Sequence, residues 1–397
     1  MASYNSNHRP DPEVLVQENN SSVRTLTLNR PQRMNVLSLE MLSRLSELLL
    51  AYDHDTKVKL VMLKGNGKAF STGGDIAVMA HHLRNGDWRS VVKESEVLFK
   101  LIFLIETYSK PQLSVLNGIA MGRATGIYLA SRFRIVPENA TFCMPETAMG
   151  GFPDTGASYF LPRLPGFFGE YLALTGARLD GPEMLACGLA THFVPATKLA
   201  LLEEALVCKV ALTKDGTSIT DLEISISAII NEYLVVQPAL KRGSALHKMD
   251  VIENCFSRRS VEEILSALEK EATYLEDDAW ISSTIQSLKK ASPTSLKLCL
   301  RSIREGRSQG LSECLVREHT MGYHIARGKI SRDFIEGCAR LLWDKNKISK
   351  WEPSKLELVT DQMIDRYFSK MDDNEEAEVF KLPATARSSN FHAIAKL

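Results

Sequence analysis

Up to about residue 212, short apolar runs alternate with stretches of helical periodicity, and this alternation constrains the fold more than any other feature of the chain. Val14 to Gln17 and Val23 to Leu28 read as strands joined by a turn at Asn19-Asn20-Ser21. Ser38 is a good N-cap, and behind it Leu42, Leu45 and Leu49 fall on one helical face. Val58 to Leu63, closed by Gly65-Asn66-Gly67, reads as a buried strand. A long helical stretch follows from about Asp75 to Glu106, broken near Asn85-Gly86. Gln112 to Leu116 is a further strand, a helix begins near Gly122, and Phe133 to Val136 is another strand. Strands in alternation with helices predict βαβ crossover units.

The pattern then changes. Ser260-x-x-Glu263 is a capping box. Val261, Ile264, Leu265 and Leu268 form a helical stripe behind it, and Ile281, Ile285 and Leu288 form a second. Leu296, Leu300 and Ile303 form a third, and strand signals nearly vanish. The best boundary is Asp215 to Ser218, with Gly216 inside it. This divides the chain into an α/β core over 13–212, a mostly helical region over 216–384 and a flexible tail over 385–397.

Composition excludes several classes. Acids and bases balance at 48 each, so there is no electrostatic footprint for nucleic acid. No stretch approaches the ~20 apolar residues of a membrane span. The seven cysteines are scattered singly, which fits buried free thiols and excludes a zinc ribbon or a disulfide framework. No metal or redox cofactor is implied. The chain ends Ala395-Lys396-Leu397, a small-basic-leucine tripeptide like the peroxisomal address. It predicts a peroxisomal location and the peroxisomal import receptor as a partner.

Three segments carry chemistry, and each has the same grammar of strand end, glycine turn and helix start. The first is Lys68-Ala69-Phe70-Ser71-Thr72-Gly73-Gly74-Asp75, whose paired glycines let backbone N–H groups approach a ligand. The second is Asn117-Gly118-Ile119-Ala120-Met121-Gly122-Arg123-Ala124-Thr125-Gly126. Two N–H groups from two such turns, aimed at one point, make an oxyanion hole. The third runs from Met144-Pro145-Glu146 to Phe152-Pro153-Asp154 and sets two carboxylates among apolar, glycine and proline residues. Such carboxylates tend to have raised pKa values suited to acid or base work. The competing reading is structural: Glu146 caps a helix after Pro145, and Asp154 caps one that begins near Gly156.

Together and in this order the segments resemble the crotonase superfamily, also called the enoyl-CoA hydratase/isomerase fold. The third motif, followed by Tyr159-Phe160-Leu161-Pro162-Arg163-Leu164, is similar to the 3-hydroxyisobutyryl-CoA hydrolases. So are Leu174-Thr175-Gly176-Ala177-Arg178-Leu179 and Gly188-Leu189-Ala190-Thr191-His192-Phe193-Val194. The resemblance implies an α/β fold with a crotonase-like ββα spiral core and a mostly helical C-terminal region. It implies hydrolysis of a small β-hydroxyacyl-CoA thioester in valine breakdown, with CoA as part of the substrate and no separate cofactor. It implies Glu146 as base or nucleophile, Asp154 as its partner near the substrate hydroxyl, and the N–H groups of Gly74 and Arg123 as the oxyanion hole. Met34, Val36, Lys68, Gly73, Asp75 and Gly122 are the implied residues around the acyl group and CoA.

Two departures from the family pattern stand in the second motif. Gly126 occupies the position where hydratases of the superfamily carry a second catalytic glutamate, which disfavours hydration. Arg123 stands in what is typically a run of three glycines. If that position needs φ > 0, an arginine there is strained. Its long cation clamps a carboxylate or phosphate or obstructs the pocket, and the alternative function is a CoA-binding homologue with weak or lost hydrolysis, with an enoyl-CoA hydratase or isomerase less favoured. Ser71 replaces a common cysteine and Gly151 a common leucine, the latter expected to widen or loosen the acyl pocket.

Overall fold

The computed structural model describes residues 11–18, 22–274, 278–344, 349–371 and 380–383. The tripeptide Ala395-Lys396-Leu397 and the turn Asn19-Asn20-Ser21 lie outside them.

Among the described residues ten strands occur in chain order: β1 (Val14–Gln17), β2 (Val23–Leu28), β3 (Leu60–Gly65), β4 (Ala69–Ser71), β5 (Gln112–Val115), β6 (Ile119–Met121), β7 (Phe133–Val136), β8 (Thr141–Cys143), β9 (Leu179–Asp180) and β10 (His192–Phe193). They form two sheets. The larger has the order β1-β2-β3-β5-β7-β10, and the smaller β4-β6-β8-β9. In the larger sheet β1 and β2 pair antiparallel and the remaining neighbours run parallel, with Leu26 opposite Leu63 and Leu113 opposite Phe133. The chain passes repeatedly from a strand of the large sheet to a strand of the small one and on to a helix, which is the expected spiral of ββα turns.

The helices of the core are α1 (Leu39–His54), α2 (Ile76–Arg84), α3 (Trp88–Glu106), α4 (Ala124–Leu129), α5 (Ala157–Phe160), α6 (Phe168–Thr175), α7 (Gly181–Ala186) and α8 (Leu199–Ala211). Ser38 caps α1 by accepting from Met41 N, as its sequence position predicts. The long helical stretch divides into α2 and α3 at the expected break, where Asp87 caps α3. Because side chains alternate along a strand, the parallel sheet is apolar on both faces. Leu60, Met62, Leu113 and Ile135 pack under α8 and α9 (Ile219–Asn231), whereas Val61 and Leu63 face the cluster that holds α1 and α3. Two-sided burial explains why these strands read as near-continuous apolar runs.

The remaining helices are α10 (Met249–Phe256), α11 (Val261–Tyr274), α12 (Ala279–Lys290), α13 (Pro293–Gly306), α14 (Leu311–Arg327), α15 (Asp333–Leu342) and α16 (Asp361–Phe368). The three predicted stripes supply Val261, Ile264, Leu268, Leu288, Leu296, Leu300 and Ile303 to the same continuous hydrophobic cluster as the α/β core. The capping box is only half formed: Ser260 Oγ accepts from Glu263 N, but the Glu263 carboxylate accepts from Arg259 N. Close backbone approaches lock the helices onto the core. A Cβ at Gly306 would lie 1.7 Å from Ser158 O, and one at Gly337 would lie 2.1 Å from Met149 O.

The strongest polar tie is Glu318 of α14, fully buried. Its carboxylate accepts from Gly156 N at 2.7 Å, Ser158 N at 2.9 Å and Ser158 Oγ at 2.6 Å. These are the donors left over at the start of α5, a helix with no cap from its own N-terminal residue. Replacing Glu318 with leucine strands three buried donors, so Glu318→Leu is expected to lower unfolding free energy by about 3 kcal/mol or more in chemical denaturation. A loss within about 0.5 kcal/mol, the range of an ordinary surface change, would deny Glu318 this role.

Candidate active site

Topology brings the three sequence motifs together. In the smaller sheet β4 pairs parallel with β6, and β6 with β8. Each motif is the turn that leaves the C-terminal end of one of these strands, so three segments far apart in sequence open side by side. This is where parallel α/β sheets place their ligands.

The first turn is shaped by its own neighbours. Ser71 Oγ accepts from Gly73 N at 3.1 Å. Gly73 has φ +90°, and a Cβ there would lie 2.8 Å from Arg123 N, so glycine is obligatory on both counts. The 30–37 loop lies against this turn: Leu37 N donates to Gly73 O at 2.8 Å, and Thr72 N to Met34 O at 3.1 Å. Buried Asn35 fastens the loop through Asn66 O and Ala69 O, both at 2.8 Å.

The second turn resolves the question posed by Arg123. The left-handed residue is Gly122, with φ +58°, while Arg123 has φ −56° in the ordinary helical region. Arginine is therefore unstrained there, and its amide remains available. Among the described residues neither Gly74 N nor Arg123 N donates a hydrogen bond, and Arg123 N lies beside the Gly73-Gly74 backbone. Two unpaired amides at adjoining turns are the requirement for an oxyanion hole.

The Arg123 side chain crosses over Gly74 and forms an ion pair through Nη2 with Asp154 Oδ2 at 2.8 Å. It thus clamps a carboxylate of the protein itself. Asp154 is buried, and burial lifts its carboxyl above the usual range while the guanidinium works in the opposite direction. Its side chain does not cap α5, because Glu318 has taken those donors. Glu146 opens a 3-10 turn over 146–149. Its Oε2 is covered and without a hydrogen-bond partner among the described residues. Burial, aided by the nearby Asp154, pushes the Glu146 carboxyl up to about 8. Its Oε1 would lie 3.5 Å from a Cβ placed at Gly122, an ordinary contact distance, so the carboxylate sits directly against this turn.

These groups line one pocket of about 100 Å³, smaller than the ~150 Å³ cavity that takes up benzene. Gly74, Gly122, Arg123, Glu146 and Asp154 are on its wall. Ile76, Met79, Val91, Val92, Phe99 and Phe152 supply its apolar surface. The helical region closes it with Glu318, His319, Tyr323, Ala326 and Phe334, none of which the sequence motifs marked. Phe334 approaches Gly151 so closely that a Cβ there would lie 3.3 Å from its ring, so the space opened by glycine at 151 is taken up by an aromatic side chain. Burial pushes Glu318 up to about 7 and His319 down to about 4, so His319 is neutral at physiological pH.

The remaining sequence candidates are not on the pocket wall. Met34, Val36 and Gly73 belong to the loop layer beside it, and Lys68 is exposed at the β3–β4 turn. Asp75 is buried and committed elsewhere. It caps α2 through Val78 N at 3.3 Å and meets Arg33 at 3.1 Å and Arg30 at 3.6 Å. It holds the 30–37 loop in place and does not face the pocket. Among the described residues no cluster suited to a metal ion occurs, and no helix is long and apolar enough to cross a membrane.

Gly126 is structurally required. Thr155 is a β-branched residue held at φ +61°, a strained conformation directly after Asp154. Its carbonyl packs onto Gly126, where a Cβ would lie 2.2 Å from Thr155 O. A glutamate at 126 has no room. Gly126→Glu is expected to destabilise the protein by about 3 kcal/mol or more in denaturant unfolding, at the upper end of overpacking costs, and to create no hydratase activity. A folded, hydrating variant would contradict this.

The chain matches the enoyl-CoA hydratase/isomerase family over residues 23–368. It is 54% identical to 3-hydroxyisobutyryl-CoA hydrolase 1 of Arabidopsis thaliana over 371 residues, covering 94% of each chain. It is 53% identical to the probable 3-hydroxyisobutyryl-CoA hydrolase 2 of the same plant, covering 94% of this chain and 95% of that one. Among solved structures, a carnitinyl-CoA dehydratase from Mycobacterium thermoresistibile superposes with a TM-score of 0.80 at 27% identity, covering 91% of this chain and 97% of the other. With this fold, these motifs and these relatives, the chain belongs to the enoyl-CoA hydratase/isomerase family, in the branch of the 3-hydroxyisobutyryl-CoA hydrolases.

Proposed function

We propose that the protein hydrolyses 3-hydroxyisobutyryl-CoA, or a similarly small β-hydroxyacyl-CoA, to the free acid and CoA. The observation that carries this reading is Glu146, a buried carboxylate with a raised pKa whose Oε2 has no partner among the described residues, in a small pocket beside the unpaired N–H groups of Gly74 and Arg123. The thioester carbonyl oxygen is bound by these two amides, which take up the charge that develops on it. In one route Glu146 removes a proton from water as the new C–O bond forms. In the other its carboxylate attacks the carbonyl to give an anhydride that water opens. In both the C–S bond breaks, CoA leaves as thiolate and is protonated, and the carboxylate is the active form. The relatives' names support the acyl group, and the pathway that follows from it is valine breakdown.

Because the carboxylate must be charged, kcat/KM is expected to rise with pH and to be half-maximal near pH 8, where Glu146 titrates. Release of free thiol from 3-hydroxyisobutyryl-CoA measures this, run beside Glu146→Gln, which is expected to lose about 10²–10⁴-fold in kcat. An unchanged rate in this variant, or a flat profile between about pH 6 and 9, would remove Glu146 from the chemistry.

We further propose that Ala395-Lys396-Leu397 is read by the peroxisomal import receptor and places the enzyme in the peroxisome. A fluorescent fusion lacking these residues is expected to become diffuse in cells. Continued sorting to peroxisomes would show that the address lies elsewhere.

A further inference from the structure

The ion pair between Arg123 and Asp154 is one-pronged. Nη2 meets Oδ2 at 2.8 Å, while Arg123 Nη1 and Asp154 Oδ1 are both buried and both without a hydrogen-bond partner among the described residues. In a two-pronged arginine–carboxylate pair these atoms would satisfy each other. Here one donor and one acceptor, each a single atom removed from the contact and both covered, remain unpaired on side chains that line the same pocket as Glu146. A buried donor and acceptor left unpaired are costly, and a ligand group that pairs both is favoured over one that pairs neither.

A hydroxyl has the required chemistry, since it carries one O–H to donate and lone pairs to accept. A carboxylate on the acyl group fits less well. Among the described residues Arg123 is the single arginine or lysine on the pocket wall, which it already shares with the carboxyls of Asp154, Glu146 and Glu318. We propose that Arg123 is a specificity-determining residue. Its Nη1 donates to the β-hydroxyl of the acyl group while Asp154 Oδ1 accepts from it, so that the pair reads the hydroxyl from both sides. This rests on the thioester reading of the pocket and assigns the guanidinium a task that a glycine at 123 could not perform.

The test is binding without turnover. Two CoA thioethers are titrated calorimetrically into the full chain: S-(3-hydroxy-2-methylpropyl)-CoA and S-(2-methylpropyl)-CoA, which differ only in the hydroxyl. The wild-type protein is expected to prefer the hydroxylated probe by about tenfold or more, and Arg123→Gly to reduce the preference to within about threefold. Arg123→Met, which keeps the apolar stem and loses the donor, serves the same purpose if the glycine variant does not fold. If Arg123 does no more than neutralise Asp154, both probes weaken equally and the ratio stays at its wild-type value, which would overturn the proposal. So would a wild-type protein that binds the two probes alike, or neither of them. An Arg123-dependent preference in a protein that releases no thiol from 3-hydroxyisobutyryl-CoA would sustain this proposal and defeat the hydrolase reading.

Discussion

Glu318 holds the arrangement together. By accepting from Gly156 N, Ser158 N and Ser158 Oγ it caps α5 from a helix more than 150 residues away in sequence. In most short helices that task falls to a local side chain, but the N-cap residue of α5 is Gly156, which has none. Asp154, two residues before that N-cap, meets Arg123 and lines the pocket. The same bonds dock α14 onto the core and bring His319 and Tyr323 to the pocket wall. Fold and site therefore share one anchor.

The pocket concentrates charge in an apolar setting. Glu146, Asp154 and Glu318 face a single guanidinium, with Ile76, Met79, Phe99 and Phe152 around them. Burial disfavours the charged form of all three carboxyls, and Glu146, which has no ion-pair partner among the described residues, is raised to about 8. A carboxyl that is hard to ionise is correspondingly basic once ionised, which would suit a group that takes a proton or attacks a carbonyl. Arg123 and the donors around Glu318 hold their carboxylates in fixed positions, so one acid is left free to react while two are committed.

Local strain surrounds this point. Gly122, Gly150 and Gly156 are left-handed, and so is Thr155, where glycine would be easier. The surroundings pay for Thr155: its Oγ1 donates to Asp154 O at 2.6 Å, and Gly126 leaves room for its carbonyl. Gly126, at the position where hydratases of the superfamily carry a glutamate, is thus the residue that lets the Asp154 turn exist. Clamping by α15, where Gly150 and Gly337 allow backbone contact, keeps the 146–156 loop in register with the two turns that supply the amides.

Much of this was written locally in the chain. Glu146, Asp154, Gly74 and Arg123 were legible because each lies in a strand–turn–helix motif, and the motifs follow three adjacent parallel strands whose C-terminal ends must open on one side. The strands themselves, three residues each, are too short for any periodicity to show. Asp75 was misleading for the opposite reason: its position beside the Gly73-Gly74 turn suggested a ligand, but two arginines from an earlier loop claim it. Arg123 could be named from the sequence but not understood, since its φ and its partner depend on how two turns abut. The helical half hid its contribution most completely. Its periodicity marks which face is buried and says nothing of what that face meets, so the sole trace of Glu318 was a glutamate inside the stripe of Leu311, Cys314, Leu315 and Met321. Sequence by itself determined the motifs, the order of the elements and the two candidate carboxylates of the third motif. Only tertiary structure decided which buried carboxylate caps, which one is clamped and which one stays free, because those roles depend on donors that distant segments bring within hydrogen-bonding distance.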